Sequence, residues 1–167
     1  MPADEPLAVK DETKPWEAGM SEPARGGIRL AHLGIVVRRI EAAEALTRRL
    51  GLAAARHETL EREGVRAAFV PVGGSEIELL EPLAAVGPVG RFLAGRGEGI
   101  HHVALEVPDI ELALARARAA GMRLIDEVPR PGADGSRVAF IHPASAHGVL
   151  FELVERTKGD PVPLRDL

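Results

Sequence analysis

Gly99-Ile100-His101-His102-Val103-Ala104-Leu105-Glu106-Val107, followed by Pro108-Asp109-Ile110-Glu111, decides the fold because it has an earlier counterpart. About seventy residues upstream, Ala31-His32-Leu33-Gly34-Ile35-Val36-Val37 runs into Arg38-Arg39-Ile40-Glu41 with the same pattern. Each copy continues into an alanine-rich helical segment that stops at a glycine, Gly51-Leu52 in the first and Gly121-Met122 in the second. A later strand carries Ala68-Phe69-Val70 or Ala139-Phe140-Ile141, and the last reads Glu78-Leu79-Leu80-Glu81 or Glu152-Leu153-Val154-Glu155. The chain is read as a duplicated module in which each half contributes one histidine from its first strand and one glutamate from its last.

Side chains alternate across a strand, so Ala31, Leu33, Ile35 and Val37 share one face while His32, Gly34 and Val36 share the other. In the second copy the same rule puts His101, Val103, Leu105 and Val107 on the packing face and His102, Ala104 and Glu106 opposite. His102 thus falls on the face of His32, and His101 is expected in or beside the core. Two imidazoles and two carboxylates related by a duplication, His32, His102, Glu78 and Glu152, suit one borderline divalent ion with room for substrate oxygens or water. The repeat does not choose among Co2+, Mn2+, Ni2+ and Zn2+.

Composition narrows the function classes. With 167 residues and 46% hydrophobic content the chain can bury a core. A net charge of −4 offers no basic field for nucleic acid. The absence of cysteine removes disulfides, thiolate nucleophiles and thiolate metal ligands together, leaving nitrogen and oxygen donors. No apolar run approaches the roughly 18 residues of a membrane span. The first 27 residues lack the basic-then-apolar order of a secretory signal and are too acidic for a mitochondrial presequence. A soluble, cytoplasmic protein with no membrane or nucleic-acid partner is expected.

In chain order, residues 1–27 read as a flexible N-terminal extension, 28–83 as a first βαβββ module, 84–99 as a linker, 100–156 as a second βαβββ module and 157–167 as a solvated tail. The first module shows an amphipathic helix over 40–50 closed by Gly51, a poorly patterned strand or loop over 53–60, and a strand over 65–71. Gly73-Gly74 then turns into a strand with Ile77 and Leu79 on one side and Glu76, Glu78 and Leu80 on the other. The linker combines a short helical stretch around Val89 to Leu93 with the glycine-dense hinge Gly95 to Gly99. The second module predicts a helix over 110–119 opened by Asp109, a short strand over 122–126, a loop over 129–135, and strands over 136–142 and 148–155.

Several strings resemble one family. Val72-Gly73-Gly74-Ser75-Glu76-Ile77-Glu78-Leu79-Leu80-Glu81-Pro82-Leu83, Gly97-Glu98-Gly99-Ile100-His101-His102-Val103-Ala104, Pro129-Arg130-Pro131-Gly132-Ala133, His142-Pro143-Ala144-Ser145 and Gly148-Val149-Leu150-Phe151-Glu152-Leu153 are similar to methylmalonyl-CoA epimerases, within the vicinal oxygen chelate, or glyoxalase-like, superfamily. The likeness spans residues 30–155. It implies an α+β fold of two tandem βαβββ modules forming a cupped eight-stranded mixed sheet around a metal site, a homodimer, and an acyl-CoA substrate. It also implies one divalent metal ion per chain, Co2+ first among those above, held by His32, Glu78, His102 and Glu152.

The implied reaction is epimerisation of methylmalonyl-CoA at C2, by proton abstraction and return through a metal-stabilised enolate. Inversion needs an acid/base group on each face of the reacting carbon, and Glu152 and Glu78 are assigned to them. Some similar epimerases carry a separate glutamate where this chain has Ala67, paired with glutamine at the ligand position where this chain has Glu78. Glu78 is therefore read as both ligand and acid/base group, with water or Glu63 as the alternative second acid. Arg130, Ser145 and Gly148 lie on loops where they can meet the substrate carboxylate or the CoA phosphates.

Two other readings belong to the same superfamily. A glyoxalase I-type isomerase would share the metal chemistry, but its helical Phe-Tyr motif is replaced here by Ala45-Leu46. A non-catalytic small-molecule-binding protein would usually lack the full ligand set.

Overall fold

In each copy a glutamate of the last strand meets the start of the helix that follows the first strand. The structure is a computed structural model that describes residues 27–156; the N-terminal extension before residue 27 and the tail after residue 156 lie outside the described residues. Strand β1 (Arg29–Val36) leads to α1 (Ile40–Arg49), and the Ile40 N–H donates to the carboxylate of Glu81 at 2.8 Å. In the second copy β5 (Gly99–Glu106) leads to α3 (Ile110–Ala119), where Glu155 accepts from the Ile110 N–H at 3.3 Å and Asp109 accepts from the Leu112 N–H at 2.9 Å. These carboxylates satisfy amides that a helix leaves orphaned at its start.

The remaining strands are β2 (Arg56–Leu60), β3 (Val65–Val72) and β4 (Ser75–Pro82) in the first copy, and β6 (Arg130–Pro131), β7 (Arg137–Ile141) and β8 (Leu150–Glu155) in the second. They form one eight-stranded mixed sheet in the order β2-β3-β4-β1-β5-β8-β7-β6. The order reads symmetrically about the antiparallel β1–β5 pair, with β4 parallel to β1 and β8 parallel to β5. The expected α+β architecture is therefore present, as a curled half-barrel.

Helix α1 packs Ile40 against a cluster of Val37, Ala68, Val70 and Leu79. Helix α3 does the same with Ile110, Leu114 and Ala117 against Val107, Ala139, Ile141 and Leu153. Fully burying one such leucine or isoleucine contributes about 1.5–3 kcal/mol, so these clusters hold the outer face of the sheet. A third helix, α2 (Gly87–Arg96), fills much of the expected linker and puts Val89 in a cluster with Val36, Val65, Ala67, Phe69 and Leu80.

Three local expectations are corrected. The strand foreseen over 122–126 is reduced to a single bridge between Leu124 and Ile141, and the outer strand falls instead at Arg130–Pro131, inside the segment read as a loop. Ala31 leaves the face expected for it with Leu33, Ile35 and Val37, and His101 does not join the packing face. Register along β1–β5 moves from Leu30↔Leu105 to His32↔Ala104, leaving Ala31 as an extra residue, and from Gly34↔His102 to Ile35↔Ile100, leaving His101 as another. Each is a β-bulge, which interrupts alternation and re-aims a side chain. Both residues line the concave face together with His32 and His102.

Candidate active site

The central strands carry the site in two rows. Glu78 of β4 pairs with Gly34 of β1, which pairs with His102 of β5. Symmetrically, Glu152 of β8 pairs with Ala104 of β5, which pairs with His32 of β1. A glutamate and a histidine thus flank a residue with little or no side chain, and the space over it is left to the functional groups. Gly34 needs this smallness: a Cβ built there would sit inside van der Waals contact with the Cε1, Nδ1 and Nε2 atoms of His102.

The four side chains converge. His32 Nε2 lies 2.9 Å from His102 Nε2, 3.1 Å from Glu152 Oε2 and 3.4 Å from Glu78 Oε2. His102 Nε2 lies 3.2 Å from Glu152 Oε2 and 3.5 Å from Glu78 Oε2. Glu78, His102 and Glu152 are buried, and His32 is nearly so. Donor atoms from His32, His102 and Glu152 all lie within 4.8 Å of one another. Two imidazoles beside buried carboxylates, with no thiolate, form a donor set that fits a borderline divalent ion.

Electrostatics separate the two carboxylates. Burial opposes the charge of Glu152, but hydrogen bonds from His102 and His32 overcome it and hold Glu152 down at about 2. Burial dominates at Glu78 and pushes it above its ordinary value. His32 is raised: burial works against its charge, while the hydrogen bond to Glu152 and the field of Glu78 outweigh it. Burial and the adjacent His102 push His101 down to about 4. The His101 ring lies with its Nδ1 3.0 Å from His102 Nδ1 and its edge against Phe92 of α2.

These groups line a cavity of about 1170 Å³ on the concave face. Its walls repeat the symmetry. The Arg56 guanidinium lies 3.6 Å over the Phe69 ring, and that of Arg130 lies 5.2 Å over the ring of Phe140, which in turn packs against His102. Arg56 is tied to Glu58 at 2.9 Å and Glu76 at 3.2 Å, whereas the ion pairs of Arg130 to Glu63 and Asp126 are longer, at 3.4 and 3.6 Å.

Among the anticipated substrate contacts, Arg130 lines the cavity, but Ser145 and Gly148 are not among its lining residues. The Ser145 hydroxyl oxygen accepts from the Arg123 N–H at 2.8 Å, and the Gly148 N–H donates to the Pro143 carbonyl at 2.9 Å. Both therefore serve the turn before β8. Ala67 is buried in the cluster that includes Val89, with no group able to exchange a proton. Glu63 does line the cavity. Sequence reasoning passed over Arg56, although its relation to Phe69 parallels that of Arg130 to Phe140.

Residues 31–140 match the Glyoxalase/Bleomycin resistance protein/Dioxygenase superfamily, and the chain belongs to that superfamily. It is 42% identical over 133 residues to the uncharacterized protein YqjC of Bacillus subtilis, covering 79% of this chain and 94% of that protein. Identity is 38% over 128 residues to an ethylmalonyl-CoA/methylmalonyl-CoA epimerase of Cereibacter sphaeroides, with 75% and 96% covered. A solved structure of a Streptomyces coelicolor methylmalonyl-CoA epimerase variant, in complex with 2-nitronate-propionyl-CoA, is similar at a TM-score of 0.74 and 36% identity, covering 77% of this chain and 97% of that one. Within the superfamily, the chain belongs to the methylmalonyl-CoA epimerase family and is an isomerase.

Proposed function

We propose that this enzyme interconverts the two C2 epimers of methylmalonyl-CoA with the help of one divalent metal ion, Co2+ first, then Mn2+, Ni2+ or Zn2+. The observation that carries the reading is the convergence of His32, His102, Glu152 and Glu78 at the wall of one cavity. When bound, the ion supplies a positive charge for the thioester oxygen, where negative charge develops as the C2 proton leaves.

The chain's own groups then divide the work. Glu152 and Glu78 come from opposite copies of the repeat, so one carboxylate can take the C2 proton from one face while the other returns a proton to the opposite face. His32 and His102 would hold the ion through Nε2, beside Glu152. Arg130, which lines the cavity beside Phe140, is the cation assigned to the free carboxylate of the substrate. The cavity volume of about 1170 Å³ accommodates the acyl end of a CoA thioester. Cytoplasmic location and a homodimer complete the reading and rest on composition and family resemblance. No helix among the described residues is long and apolar enough to cross a membrane.

The test is to incubate metal-reconstituted protein with methylmalonyl-CoA in D2O and follow loss of the C2 proton by NMR, alongside a chelator-treated sample. Exchange with inversion that disappears on chelation is the expected outcome. Exchange that survives complete metal removal would overturn the metal role, and no exchange with any of the four ions would overturn the epimerase reading.

A further inference from the structure

We infer that His101 is a positioning residue for the metal site: its ring accepts a hydrogen bond from His102 and holds that imidazole in the tautomer that turns Nε2 toward the ligand cluster. The inference rests on the metal-site reading above.

Two ring nitrogens 3.0 Å apart, His101 Nδ1 and His102 Nδ1, share one proton, so one donates and the other accepts. His102 directs Nε2 at the cluster, 2.9 Å from His32 Nε2 and 3.2 Å from Glu152. To ligate an ion, that nitrogen would give up the proton it donates to Glu152 and present a lone pair. The proton of a neutral His102 is then on Nδ1, and His102 is the donor to His101. His101 accepts through Nδ1 and carries its own proton on Nε2. The Phe92 ring from α2 lies edge-on against His101, with centroids 5.1 Å apart, and Phe140 stands 6.0 Å from the His102 ring. Gly34 closes the remaining side of His102.

The bulge makes this contact. Regular alternation would send His101 to the opposite face of the sheet, but the register shift beside Gly34 brings it to the same side as His102. The equivalent bulge in the first copy presents Ala31, which has no group to offer His32. The duplication has therefore kept its ligands paired and made their support unequal. A partner on the second nitrogen of a metal-bound histidine fixes its tautomer and raises its basicity, and losing such a partner typically weakens binding about 10- to 100-fold.

The test compares wild type with His101→Leu, which removes the acceptor, and His101→Gln, whose amide oxygen can accept. Co2+ affinity is measured by competition with a chelator, thermal unfolding is followed on the metal-free proteins, and the imidazole N–H signals are recorded by NMR on the Zn2+-loaded proteins. Expected are an affinity loss of about 10- to 100-fold in His101→Leu at a preserved unfolding temperature, recovery of most of it in His101→Gln, and a slowly exchanging His102 Nδ1–H signal in wild type that His101→Leu loses. Affinity in His101→Leu within twofold of wild type, with that signal retained, overturns the positioning role alone. A lower affinity that falls in step with unfolding temperature and is not recovered in His101→Gln also overturns it. If wild type binds none of the ions, the metal-site reading itself fails and this inference falls with it.

Discussion

Gly34 faces His102 across the β1–β5 pairing, and the missing side chain at position 34 is the space the imidazole fills. Gly34→Ala is expected to displace the ring, weakening metal binding by at least about 10-fold. The overpacking should cost about 1–3 kcal/mol of stability. Ala104→Gly, at the mirrored position beside His32, should cost about 1 kcal/mol and leave metal affinity near wild type. Metal titration and urea unfolding of both variants measure the difference.

Glu78 and Glu152 reach the histidine pair from opposite copies, which makes their roles separable. Glu78→Gln keeps a ligand oxygen but cannot carry a proton, so the ion should stay bound while epimerisation drops about 10²- to 10⁴-fold. Solvent exchange should survive from one C2 epimer and vanish from the other. Full exchange from both epimers with the metal retained would show that Glu78 is a ligand only and would turn attention to Glu63 or water.

Arg130 is expected to act on binding rather than on chemistry. Losing a charge-assisted hydrogen bond costs about 1.5–3 kcal/mol, so Arg130→Ala should raise KM for methylmalonyl-CoA about 10- to 100-fold with kcat changed far less. Ser145→Ala should leave KM unchanged, because that hydroxyl is engaged by the Arg123 amide. A KM shift in Ser145→Ala with none in Arg130→Ala would reverse this assignment.

The metal-free protein should show opposite pH signatures at Glu152 and His32. Glu152 is held at about 2, below its ordinary 4.5, so its contribution is complete above pH 4.5 and is lost as pH falls towards 2. Its size is on the order of 3 kcal/mol. His32 is raised above 6.5, so its contribution is present below pH 6.5 and is lost as pH rises through its folded value. Glu78, raised by burial, follows the sign of His32 from its ordinary 4.5 upwards. In chelator-treated protein, denaturant unfolding should show a flatter acid limb in Glu152→Gln and a flatter decline above pH 6.5 in His32→Gln. Unchanged slopes in both variants would contradict these couplings.

Much of the fold was legible because its signals are local. Helix α3 follows from an Asp109 cap, a periodic apolar face and Gly121, and the structure places it over Ile110–Ala119. The turn at Gly73-Gly74 and the faces of β4 follow from short-range chemistry in the same way. The outer strand at Arg130–Pro131 was hidden because two residues carry no period, and its partner Val138 lies in another strand. Arg56 was hidden by the weak pattern of β2. Its functional neighbour, Phe69, is found only across the sheet.

The repeated strings by themselves determined the duplicated architecture and selected His32, Glu78, His102 and Glu152, because hydrophobic period and residue identity are properties of each strand alone. Tertiary structure decided that these four side chains converge and that Gly34 and Ala104 leave them room. It also reversed the orientations of Ala31 and His101 and drew Ser145 and Gly148 into a turn. Those outcomes depend on how β1 and β5 pair: a bulge is a mismatch between two strands distant in the chain, and neither strand records it by itself.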